Sequence, residues 1–121
     1  MKPMTEPAAD AISLPGVMAA LSDPVRVQIL RSVAAAGECA CGSFQLDIAK
    51  ATRSHHLRVL REAGLTHTRA DGTRRLVSLR RDDLDARFPG LLDAVLAAAE
   101  RETPVSAEPR GGRRRTSTPA E

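Results

Sequence analysis

A small, mainly α-helical chain completed by one β-hairpin is the fold class that this sequence of 121 residues predicts, and three observations predict it. Apolar residues recur at helical spacing in four separate segments bounded by caps, prolines and glycines. One stretch around Asp71-Gly72 changes texture to Thr and Val, which suit extended chain flanking a tight turn. The length supports one modest core and not two, and the first and last helical segments each carry an apolar stripe that a chain of this size buries well against a copy of itself.

Residues 1–12 are polar and contain proline, and they are expected to be a flexible start. "SLPGVMAALSD" begins the first helix: Pro15 suits a first turn, and Leu14, Val17, Met18 and Leu21 fall on one stripe. In "SDPVRVQILRSVAAAGE" Ser22 or Asp23 caps a second helix, Val25, Ile29 and Val33 form its buried row, and Gly37 stops it. A short polar and apolar stretch, 43–49, leads as a short helix into a helix from about Lys50 to Ala63 that Gly64 closes. "THTRADGTRRLVSL" then reads as a hairpin with an Arg-rich tip. After the acidic "RDDLDARFPG", a last helix from about Pro89 to Arg101 places Leu91, Leu92, Val95, Leu96 and Ala99 on one side. The body is expected to span 13–101, and the Pro-, Gly- and Arg-containing tail 102–121 to be disordered.

Net charge is only +3, but residues 20–81 hold eleven Lys and Arg against five acids, so the positive charge belongs to the middle of the chain. No run approaches the roughly 18 to 20 apolar residues that span a bilayer, and the start lacks the charged-then-apolar order of a secretory signal, so no membrane partner and a cytoplasmic location are expected. Glu38, Asp82, Asp83 and Asp85 stand near no nucleophile or metal cluster, which leaves an enzyme reading without support.

Helix 50–63 has two separable sides. His56, Val59, Leu60 and Ala63 occupy i, i+3, i+4 and i+7, and with Leu57 they face inward, where His56 reads as a core histidine. Ala51, Ser54, His55, Arg58 and Glu62 lie opposite, and near the helix start Ala51, Ser54, His55 and Arg58 with Lys50, Thr52 and Arg53 suit base edges and phosphates. Arg69, Arg74 and Arg75 in the hairpin would anchor the backbone of the same double-stranded DNA. A short helix, a reading helix and a basic hairpin in this order make a winged helix-turn-helix. The same surface on a module that contacts protein instead of DNA is the alternative, and salt dependence separates the two.

"ALSDPVRVQIL" at 20–30, "TRSHHLRVLREAGL" at 52–65 and "RADGTRRLVSL" at 69–79 resemble the ArsR/SmtB family of bacterial transcriptional repressors over roughly residues 14–100. The resemblance implies a homodimer formed by the first and last helices, here through Leu14, Val17, Met18, Leu21, Leu91, Leu92, Val95 and Leu96. It also implies repression at an operator until an effector, which the sequence does not name, lowers DNA affinity.

Family members that sense soft metals carry C-x-C ahead of the reading helix, and "GECACGSF" looks similar. It departs in register, in having Gly42 after the second cysteine, and in offering only Cys39 and Cys41 where a trigonal thiolate site needs a third ligand. On a regular helix two positions two apart point about 200° apart and could not share one ion. Two readings stay open. The thiols are incidental, reduced, metal-free and placed in a loop or frayed first turn; or they trigger a metal, metalloid or redox sensor. In the second, a thiophilic or transition metal ion is held by Cys39, Cys41 and either His67 or a group from the second subunit.

Overall fold

The computed structural model describes residues 6–44 and 46–102. Its regular elements are α1 (Leu14–Ala20), α2 (Pro24–Ala36), β1 (Glu38–Ala40), α3 (Lys50–Glu62), β2 (Thr66–Asp71), β3 (Arg74–Leu79), α4 (Arg81–Arg87) and α5 (Leu91–Glu102). Single 3-10 turns stand at Ala9–Ala11 and Cys41–Ser43. Of the tail expected to be disordered, 102–121, Glu102 instead ends α5, and 103–121 lies outside the described residues. Among the described residues no helix is long and apolar enough to cross a membrane.

The helix boundaries follow from local chemistry. Asp23 caps α2, its Oδ1 accepting from the N–H groups of Val25 and Arg26 at 2.7 and 3.3 Å, and Gly37 ends the helix at φ 86°. Gly64 ends α3 at φ +89°, with the Leu65 N–H returning to the Leu60 carbonyl at 3.0 Å as in a Schellman turn. Gly64 also meets a close approach: a Cβ there would stand 2.5 Å from Ile12 Cγ1.

β2 and β3 form the expected hairpin, with Asp71 opposite Arg74 and Gly72 in the turn at φ 64°. β1 joins β3 on its other edge, giving an antiparallel sheet of order β1-β3-β2 in which Cys39 faces Val77. Ile29, Leu30 and Val33 of α2, Leu57 and Leu60 of α3, Val77 of β3, Leu84 of α4 and Leu92 of α5 meet in one core.

Several elements differ from the sequence reading. The loose start does not run to residue 12: Ile12 is 2% exposed in the core, and Glu6 bonds to β2. Burying one such side chain contributes about 1.5–3 kcal/mol, enough to hold a segment that shows no apolar period of its own. The short helix expected ahead of α3 is, among the described residues, the single 3-10 turn Cys41–Ser43 followed by irregular chain, consistent with Gly42 and with the buried anchor Phe44. The acidic segment after the hairpin forms α4, whose first turn holds Asp82 and Asp83, where carboxylates complement the helix dipole.

The Asp23 cap makes α2 sensitive to acid. Burial pushes its carboxyl up, but the Val25 and Arg26 N–H groups and the nearby Arg26 guanidinium outweigh this and hold it below its ordinary value. A lowered folded-state value stabilises above the unfolded one, and the contribution disappears as pH falls through the folded one. Asp23→Ala is therefore expected to cost about 1 kcal/mol at neutral pH. The deficit should shrink below about pH 4. Urea unfolding at the two pH values measures it, and a gap that stays constant into acid would show that Asp23 is not the cap that matters.

Candidate nucleic-acid interface

α3 separates its faces sharply. His56, Leu57 and Leu60 are buried, while Lys50, Ala51, Thr52, Ser54, His55 and Arg58 are exposed. His55 and Arg58 approach each other on that outer side, Arg58 Nη2 lying 3.4 Å from His55 Nδ1. Among the described residues no side chain caps the start of α3 and its first turn holds no acid, an arrangement that suits an anion.

Between α3 and the hairpin runs a groove of about 620 Å³. Lys50, Arg53, Ser54, Leu57 and Arg61 line it from α3, Thr68, Thr73, Arg74 and Arg75 from the hairpin, and Ala40, Cys41 and Gly42 from the end of β1. Among the described residues twelve line it, of which five are Lys or Arg and none is acidic. Sequence reasoning missed Arg61. The signal was present, because positions 50, 53, 54, 57 and 61 form one helical stripe, but that stripe mixes cations with Leu57 and so reads as neither an apolar nor a polar face.

Arg69 stands apart from this arrangement. It does not line the groove, and its Nε and Nη2 fork onto the Glu38 carboxylate at 2.9 and 3.0 Å, tying β2 to β1 across β3. This bond from Arg69 is also what holds the Glu38 carboxyl below its ordinary value. A carboxylate partner of this geometry offsets the charge that Arg69 would bring to a phosphate.

Cys39 lies in β1 and not in the expected loop or frayed turn, and Cys41 opens the single 3-10 turn. Both are free and half-buried. Cys39 Sγ donates weakly to the Ser32 carbonyl at 3.8 Å. Burial pushes the Cys39 thiol up; it does the same to Cys41, where the cations of Arg75, Arg53 and Arg61 pull down without reversing it. His67 is committed elsewhere, its Nδ1 lying 2.8 Å from Glu6 Oε1 while Glu6 Oε2 accepts the Thr68 N–H at 3.0 Å. Among the described residues no three His, Cys, Asp or Glu side chains gather so as to hold a metal ion, so Cys39, Cys41 and His67 are not brought together as ligands.

The apolar stripes of the terminal helices divide between two uses. Val17 and Leu92 are spent in the chain's own core, at 1% and 2% exposure, and Leu21, Leu91, Val95 and Leu96 are half-buried beside them. Leu14 and Met18, one helical turn apart on α1, stand 45% and 55% exposed.

A winged helix-turn-helix whose α3 borders a groove lined by cations and, among the described residues, by no acid defines a DNA-binding class of regulator. Residues 23–68 match the bacterial regulatory protein, arsR family. A relative from Bacillus subtilis (strain 168), named as the uncharacterized HTH-type transcriptional regulator YceK, is 42% identical over 82 residues, which are 65% of this chain and 82% of that protein. The chain belongs to the arsR family, and it is a helix-turn-helix, DNA-binding regulator of transcription.

Proposed function

We propose that this regulator is a cytoplasmic homodimeric repressor. In this reading its paired α3 helices occupy adjacent major grooves of a double-stranded operator, and an effector releases it by lowering that affinity. The observation that carries the reading is the groove beside α3, with five cations and no acid among its described lining residues, next to an exposed row of Ser54, His55 and Arg58. Short polar side chains there suit base edges, while Lys50, Arg53, Arg74 and Arg75 suit the flanking phosphates. The exposed pair Leu14 and Met18 supplies apolar area for the dimer contact.

The cysteines are incidental to release in this reading. Raised thiols hold little thiolate at neutral pH, and thiolate is the species that attacks oxidants and binds soft ions.

The test is a fluorescence-anisotropy titration with a duplex that the wild type selects from a random pool. If four phosphates are neutralised, affinity should fall about a hundred-fold between roughly 50 and 200 mM salt. Salt-insensitive binding would favour the module that contacts protein. Wild type and Cys39→Ser/Cys41→Ser protein are expected to bind alike and to stay bound with zinc, arsenite or peroxide. Release of the wild type alone by any of these would install the thiol sensor in place of the incidental reading.

A further inference from the structure

Arg26 lies three residues beyond the Asp23 cap, which accepts its backbone N–H and so sets where its side chain leaves α2. That side chain spans two other helices. Its Nε donates to the Ala20 carbonyl at the end of α1 at 2.6 Å, and its Nη1 reaches His56 Nδ1 on α3 at 3.1 Å. A guanidinium has no acceptor, so His56 Nδ1 must be the acceptor, and the ring proton sits on Nε2. His56 is 8% exposed and the bond is part-buried, so water competes poorly for it. The Ala20 carbonyl is one of the last in α1, a group with no partner inside its own helix.

We infer that Arg26 is the positioning residue of the reading helix: through His56 it fixes the rotation of α3, and through Ala20 it refers that rotation to α1. This rests on the proposal that α3 reads base edges. His56 directly follows Ser54 and His55, so a bond to its ring constrains the rotation that aims their side chains outward. Base-edge contacts fail when a side chain strays by about 0.5 Å or 10–20°. Phosphate contacts from long, flexible Lys and Arg stems tolerate more. In a dimer built through α1, the same bond would also set the separation of two helices that must enter grooves roughly 34 Å apart.

Arg26→Met keeps the stem and removes the donors. Its ratio of selected-duplex to random-duplex affinity should drop about ten-fold, the value of one charge-assisted hydrogen bond. Random-duplex affinity and its salt slope should stay as in wild type, with far-ultraviolet circular dichroism confirming the fold. His56→Asn, which keeps an acceptor near the Nδ1 position, should retain most of the ratio, and His56→Leu should lose it. The double variant Arg26→Met/His56→Leu should be no worse than either single one, as expected for partners in one contact. The His56 Nδ1 nitrogen resonance should report an unprotonated acceptor in wild type and shift in Arg26→Met. Should Arg26→Met fail to fold, His56→Leu carries the same reading with the bond to α1 intact. Ser54→Ala/His55→Ala separates the two levels. If that protein keeps its ratio, α3 is not the base reader; if it loses the ratio while folded Arg26→Met or His56→Leu keeps it, the inference about Arg26 is wrong and the base-reading proposal stands.

Discussion

Leu14→Glu/Met18→Glu protein is expected to sediment as a folded monomer at micromolar concentration and to lose operator affinity by about 10²- to 10⁴-fold. The two side chains are exposed on α1, so charges there leave the protomer core untouched while placing two carboxylates in the proposed contact between copies. Loss of pairing removes the gain that comes from linking two half-site contacts in one molecule, which is of that size. The choice of α1 follows from burial. Leu92→Glu would drive a charge into the chain's own core and unfold the protomer, so it reports on stability and not on association. Sedimentation velocity with anisotropy on the same preparations measures both effects. A double variant that remains dimeric with wild-type affinity would place the contact on another surface.

Ser54→Ala/His55→Ala protein should be stable, since both side chains are exposed, and should lose sequence discrimination. Each base-edge contact is worth about 1–3 kcal/mol. The pair should therefore cost roughly thirty-fold or more on the selected duplex and little on random DNA. The salt slope should be unchanged, because neither residue carries the phosphate contacts assigned to Lys50, Arg53, Arg74 and Arg75. Competition titrations with selected and random duplexes read both quantities together. Equal losses on the two would turn Ser54 and His55 into backbone contacts, and no loss would move the reading head off α3.

Local chemistry alone determined much of this protein. Asp23 and Gly37 bound α2, Gly64 closes α3, and Asp71-Gly72 turns the hairpin, because caps, left-handed glycines and tight turns are decided within a few residues. The two faces of α3 were equally legible, since a helix turns by a constant angle and burial of His56, Leu57 and Leu60 follows the period.

Other features depend on partners distant in sequence. β1 is three residues long, too short for a pattern, and exists because the free edge of β3 pairs with it. Cys39 thereby enters a strand in place of the expected loop or frayed turn. Arg69 looks like its neighbours Arg74 and Arg75 until Glu38, 31 positions earlier, is found beneath its guanidinium. Leu92 and Leu14 carry the same apolar character in the sequence, and only packing decides that one fills the core and the other faces outward. Arg26 gives no sign of its two bonds, because Ala20 and His56 come within reach only when α1 and α3 close around it. The division has one physical reason. Backbone geometry and period act between neighbours and are written in the chain, whereas the burial of a stripe and the partner of a charge are set by which surfaces the folded chain brings together.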